Sequence, residues 1–175
     1  MANEIEIIPY LVIDGIPLFR DSQVTGLIDR AERDGTLSSV FYGDRRYTKY
    51  DFLEKVKYAG NCSLYVARCG DDIAGFVLLD EIRWRHAHGH FCVFSEYWGK
   101  DILTEISHAM LRHLFNEGYA VLIGVVPEDN EHALHFSEKT LCMTRRATIP
   151  GYFYNDMTND DVDGVLFTVE KGDVP

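Results

Sequence analysis

The chain has 175 residues and a mass of 20.0 kDa, which fits one ordinary domain. Hydrophobic residues make up 46% and aromatics 13%, enough to bury a core and to exclude wholesale disorder. The 17 Lys and Arg stand against 28 Asp and Glu, and the net charge of −11 disfavours nucleic acid and anionic membranes as partners.

The N-terminus, MANEIEIIPY, has no basic segment leading into a long apolar run, so no secretory signal is expected. No stretch approaches the roughly 18–20 apolar residues of a membrane helix. Cys62, Cys69, Cys92 and Cys142 form no C-x-x-C pair and read as free thiols of a cytoplasmic protein. Residues 4–8 (EIEII) alternate polar and apolar, as a strand does. Over 17–33, Leu18, Val24, Leu27, Ile28 and Ala31 mark a helical stripe that Asp34-Gly35 stops. Residues 41–50 (FYGDRRYTKY) read as a loop, and 51–58 as a short helix with Asp51 near its N-terminus. SLYVARC (63–69), the turn GDD and IAGFVLLDEI (73–82) predict a hairpin, and HAHGHFCVF (86–94) predicts a third strand. Residues 100–116 carry Ile102, Leu103, Ile106, Met110, Leu111 and Leu114 on one helical face, closed by Glu117-Gly118. AVLIGVV (120–126) is a buried central strand, Asn130–Lys139 a second short helix, and 143–149 and 164–170 the last two strands. The order β-α-α-β-β-β-α-β-α-β-β implies an α+β fold, a mixed sheet with helices on both faces.

Three segments carry a resemblance. The first is Glu96 to Glu105 (EYWGKDILTE), close to E-Y-W-G-K-G-I-A-T-E. The second is Asn130-Glu131-His132-Ala133 through Glu138-Lys139, close to N-x-x-A/S-x-x-x-x-E-K. The third runs from Arg145-Arg146 to Asp163-Gly164-Val165-Leu166-Phe167. In order and spacing the chain resembles the GCN5-related N-acetyltransferases (GNAT), nearest the branch that acetylates ribosomal-protein N-termini and related small amines. The resemblance is strongest over 62–170 and implies one acyltransferase domain over 1–175. It also implies a mainly antiparallel sheet with a cleft where the fourth and fifth strands splay.

That resemblance implies acetyl-CoA as cofactor and a small amine or a peptide N-terminus as acceptor, and it allows a homodimer. The pyrophosphate would sit on backbone amides where a loop enters a helix, since orphan N–H groups and the helix dipole favour an anion there. The family's Q/R-x-x-G-x-G/A pattern falls on Trp98, Gly99, Lys100, Asp101, Ile102 and Leu103. Asp101 replaces a glycine and Leu103 a small residue. A carboxylate about 4 Å from a phosphate repels it by about 1 kcal/mol in water, and Asp101 would also suit the helix N-cap, while Lys100 could supply a positive charge. The pantetheine would bond to Phe91, Cys92 and Val93 like an added strand, and Asn130 would hold the cofactor arm. Ser137 stands where the family's usual Tyr would protonate the leaving thiolate. Glu81, Glu96 and His90 are candidates for the general base by location. The substitutions at Asp101 and Leu103 also motivate an alternative, a binding or assembly module with a degenerate cofactor site.

His86, His88 and His90 alternate onto one strand face, and three imidazoles can hold a transition metal, which gives a third reading as a metal-binding protein. No carboxylate or cysteine follows at ligand spacing, and a proton-accepting or surface stripe is the preferred reading. Asn159 to Glu170 fits a calcium-loop spacing, but its flanks read as strands, so an acidic hairpin turn is expected. Tyr152, Phe153 and Tyr154 read as hairpin side chains that could line an acceptor pocket. Arg145-Arg146 reads as a surface pair, and the basic-aromatic cluster Phe41–Tyr50 is too short for a nucleic-acid site.

Overall fold

The computed structural model describes residues 4–42, 48–155 and 158–175, so Arg45 and Arg46 of the basic-aromatic cluster lie outside the described residues. A seven-stranded sheet is built from β1 (Ile5–Pro9), β4 (Ser63–Cys69), β5 (Asp72–Arg83), β6 (His86–Val93), β7 (Val121–Pro127), β9 (Asp160–Glu170) and β8 (Thr144–Asn155), in that spatial order. Every neighbouring pair is antiparallel except β6 and β7. The crossover between those two carries α4 (Asp101–Asn116).

The sheet separates two apolar layers. Ile106, Met110, Leu111 and Leu114 of α4 pack on Val77, Leu79, Leu122 and Phe167. On the opposite face, Val24, Leu27 and Ile28 of α1 (Asp21–Arg33) and Phe52 and Val56 of α3 (Lys49–Tyr58) cover Leu64, Phe76 and Leu78. Helices therefore lie on both faces, as the element order implied. Gly75 of β5 is required by packing, because a Cβ there would stand 2.2 Å from the Cys92 carbonyl oxygen.

Three short elements differ from the sequence reading. The helix expected from residue 17 begins at Asp21, because Val12–Ile13 (β2) and Ile16–Pro17 (β3) form a small hairpin around Asp14-Gly15. Both turn residues take positive φ, 52° and 80°, as a tight two-residue turn demands. Leu18 is consequently exposed rather than in the helix stripe. A single helical turn, α2 (Leu37–Val40), precedes the segment expected as a loop. The expected helix 130–139 is α5 (Glu131–His135) followed by a π-helical turn over Phe136–Thr140. The β5–β6 turn places Trp84 at φ 59° and 98% exposure between Arg83 and Arg85.

Candidate active site

β6 and β7 begin side by side and then separate. Their parallel pairing covers only His86↔Val121, Ala87↔Leu122 and His88↔Ile123. Beyond His88, β6 pairs only with β5, through Val93, while β7 pairs onward with β9. The Cys92 carbonyl faces Gly75 of β5 and the Phe94 amide bonds to Ala74 of the same strand (2.9 Å). By strand alternation, Phe91 and Val93 turn their amides and carbonyls into the gap. The Val93 carbonyl accepts the Trp98 indole N–H at 2.7 Å. Along this free edge of β6 lies a cavity of about 400 Å³, lined by Phe91, Cys92 and Val93 of the strand and by Ala133, Phe136 and Thr140 of α5 and the π-helical turn after it.

Trp98, Gly99 and Leu103 close the end of this cavity at α4. Gly99 has φ 68°, a conformation natural to glycine, and turns the chain into the helix. The residue expected as N-cap, Asp101, is the first residue inside α4. Lys100 is the cap, with extended backbone and no side-chain capping bond. The Asp101 side chain is exposed and makes no capping bond; the Leu103 amide bonds to the Lys100 carbonyl at 3.0 Å, which leaves the Asp101 and Ile102 amides open among the described residues. Lys100 Nζ donates to the Glu96 carbonyl, so its charge folds back along the loop rather than into the cavity. Leu103 is half-buried, packs on the α4-side core, and narrows the cavity without filling it.

A second cavity, of about 410 Å³, adjoins the first. Ser39 and His132 line both. Its other walls come from Ser38 of α2 and Tyr42 just beyond it, from Asp129 and Asn130 between β7 and α5 and Glu131 at the start of α5, and from Asn155 at the end of β8. Asn130 caps α5, its Oδ1 accepting the Ala133 amide at 3.1 Å, and it lines this second cavity rather than the first. His132 and His135 on α5 line the first cavity and were not singled out in the sequence. The signal was available as His-x-x-His directly after the Asn130 cap, one helical turn on a single face.

The other sequence candidates are dispersed. Glu81 lies exposed at an irregularity of β5, with φ 47°. The neighbouring carboxylate, Asp80, is the one turned inward, where it receives Lys55 Nζ and faces His90 Nε2 at 3.2 Å. Burial pushes the Asp80 carboxyl up, but its bonds to His90 and Lys55 outweigh that and hold it well below the usual carboxylate range. His90 Nδ1 faces the Val40 carbonyl at 3.4 Å, and its ring stacks on Phe41 at 5.3 Å. Both neighbours accept, so a neutral ring serves one contact at a time. His90 thus joins β6 to α2 and lines neither cavity. Glu96 pairs with Arg30. Ser137 is buried at 5% exposure in the π-helical turn; its neighbour Phe136 lines the first cavity and Ser137 does not. The Cys92 thiol is pushed up to about 12 by burial and is a neutral wall group.

His86, His88 and His90 share the face that carries α1 and α3, and among the described residues no cluster of three or more His, Cys, Asp or Glu side chains is arranged for a metal. Asp160 to Glu170 is strand throughout, preceded by a turn with Asn159 at φ 61°, so the acidic run is a hairpin and not a calcium loop. Arg145 and Arg146 are taken up by surface contacts to Thr148 and Thr168.

The profile of the acetyltransferase (GNAT) family matches residues 26–141, about two thirds of the chain and both walls of the first cavity. The chain belongs to the acetyltransferase (GNAT) family. With the family comes its reaction class, transfer of an acetyl group from acetyl-CoA to an amine. No curated protein sequence matches the chain. Among solved structures, it is similar to the acetyltransferase from Salmonella typhimurium that modifies the N-terminal serine of ribosomal protein L7/L12, at 13% identity and TM-score 0.72, covering 95% of this chain and 94% of that one. It is similar to spermidine N-acetyltransferase from Vibrio cholerae in complex with CoA and spermine, at 15% identity and TM-score 0.69, covering 96% and 97%. The ribosomal-protein-S5-alanine acetyltransferase from Vibrio fischeri aligns at 15% identity and TM-score 0.67, covering 90% and 93%. At these identities the likeness is one of GNAT fold.

Proposed function

We propose that this GNAT protein acetylates a primary amine, either a small amine or a peptide N-terminus, with its cofactor in the cleft between β6 and β7. The carrying observation is the separation of β6 from β7 after His88, which leaves a strand edge beside an uncapped helix N-terminus. The residues present fit the cofactor. Phe91 and Val93 offer edge amides and a carbonyl for the amide groups of a pantetheine arm. The open amides at the start of α4 suit its phosphates, with Gly99 allowing close backbone approach. When bound, acetyl-CoA supplies a thioester carbonyl that a neutral amine attacks, C–N forming as C–S breaks and the amine proton departing.

The acceptor would enter through the second cavity, and the junction at Ser39 and His132 is where the two ligands would meet. His132 is the only titratable side chain lining both cavities among the described residues. Its imidazole is the group we assign to receive the amine's proton. All four cysteines are free and no described helix is long and apolar enough to cross a membrane, which supports work in a reducing cytoplasm. The sheet running from Ile5 to Glu170 supports treating the chain as one acyltransferase domain.

Calorimetry with acetyl-CoA and a CoA-release assay with primary amines test this reading. Binding together with amine-dependent thiol release is expected. No binding at millimolar acetyl-CoA would overturn it in favour of the degenerate-site alternative. His132→Gln is expected to bind acetyl-CoA normally and to lose about 100-fold in kcat at neutral pH.

A further inference from the structure

The second cavity is built differently from the cofactor cleft. Its described lining contains two carboxylates, Asp129 and Glu131, and no Lys or Arg. The walls come from three separate parts of the chain, and one hydrogen-bond chain ties them together. Asn155 Nδ2 donates to the Tyr42 hydroxyl at 3.1 Å, and that hydroxyl donates to Asp129 Oδ2 at 2.6 Å. The Asn155 amide is itself oriented, because its Oδ1 accepts the Thr158 amide at 3.4 Å. Burial, and then the Asp129 carboxylate, push the Tyr42 hydroxyl up to about 12, so it stays a donor across the working pH range. The Tyr42 ring is braced edge-on against Phe153, with centroids 5.3 Å apart. Asp129 is thereby fixed by one oxygen, while Oδ1 takes no hydrogen bond from a described residue.

A carboxylate held this way is suited to a cation. The attacking nitrogen of an acceptor must be neutral when it reacts, so a positive charge that Asp129 and Glu131 still hold at that moment belongs to a different group of the same molecule. We infer that this chamber recognises an acceptor carrying a second positive charge besides the amine that is acetylated, with Asp129 as the specificity-determining residue and Tyr42 and Asn155 as the residues that position it. This rests on the acetyltransferase reading and adds the acceptor's charge pattern to it. Two sources share the chemistry: a free diamine, and a peptide whose N-terminus lies near a basic side chain.

The test is a comparison of acceptors matched in length. By CoA release, kcat/KM for 1,4-diaminobutane is measured against butylamine. In the peptide arm, a free N-terminus followed by Lys is measured against the same peptide with norleucine. A preference of about tenfold or more for the doubly charged member of either pair is expected, carried mainly by KM, and the arm that shows it identifies the source. Asp129→Asn should bring the ratio close to one while acetyl-CoA binding stays normal. Tyr42→Phe should give an intermediate ratio, a readout that a purely structural loss would not move. Glu128→Gln, which removes a carboxylate that contacts Arg145 and does not line the chamber, should leave the ratio unchanged. Equal rates within both pairs, or a ratio that survives Asp129→Asn, would overturn the inference. If the wild-type protein bound no acetyl-CoA, the acetyltransferase reading would fall separately. Titration of 1,4-diaminobutane into the wild-type and Asp129→Asn proteins would then decide the chamber: binding lost in the variant supports it, and equal or absent binding overturns it.

Discussion

Asp80 ties β5 to two other elements, receiving Lys55 from α3 and facing His90, which in turn reaches the Val40 carbonyl of α2. Its carboxyl is held below the usual carboxylate range, so the folded state prefers it ionised. The stability it supplies is therefore fully present above the unfolded-state value of about 3.9, and is lost as pH falls through the lower folded-state value. Asp80→Asn is expected to cost about 1–3 kcal/mol in urea unfolding at pH 7. The gap to the wild type should narrow only at pH values below about 4. At this scale the sequence misled in an instructive way. Location at the substrate end of the sheet points to Glu81 as well as to His90, but at the irregularity between Asp80 and Arg83 Glu81 is exposed to solvent and Asp80 is the carboxylate turned inward. Periodicity cannot register such an irregularity in advance. His132 escaped for another reason: its importance depends on α2 and the β7–α5 loop meeting around it, a contact between residues about 90 apart in the chain.

The start of α4 is the element on which cofactor affinity turns. Asp101 and Leu103 look damaging in the sequence because a phosphate site there wants small residues. One position of register changes what Asp101 does. As the N-cap it would occupy orphan amides; as the first residue inside the helix, exposed and without a capping bond, it leaves the Asp101 and Ile102 amides open and contributes only its charge. Asp101→Asn is expected to tighten acetyl-CoA binding about fivefold in calorimetry, the size of one unscreened repulsion in water. The effect should fade at high salt. Long periodic elements were legible because their pattern is local: β4 has the predicted bounds, and α4 starts one residue later than predicted. The β2–β3 hairpin and α2 were not, since two-residue strands and a single helical turn offer too few residues for a period to emerge. The π-helical turn after α5 has the same difficulty. Its Leu141 amide reaches back to Phe136 at 3.0 Å, a spacing that side-chain pattern does not encode.

At the scale of the whole molecule, the element order was enough to foresee a sheet with both faces covered, and the resemblance to the GNAT family implied the cleft between its fourth and fifth main strands. The second cavity was not foreseeable, because it is assembled by α2, the β7–α5 loop and the end of β8 together. The net charge of −11 now has a kinetic meaning. A cationic acceptor is drawn to such a surface, so kcat/KM should fall several-fold as ionic strength rises from about 0.01 M to about 0.15 M and the screening length shrinks from about 30 Å to about 8 Å. A flat salt profile would argue against steering. The two tryptophans divide the molecule in a useful way. Trp98 is half-exposed on the cavity wall, its indole anchored to Val93, whereas Trp84 stands in full solvent on the tip of the β5–β6 turn. The protein thus carries one optical reporter inside its cleft and one constant background signal far from it. Replacing Trp84 with Phe would silence the background and leave Trp98 as the only tryptophan, excited selectively over the tyrosines. Its emission should shift as the cleft fills, giving cofactor occupancy directly in a cuvette, without a label and without turnover.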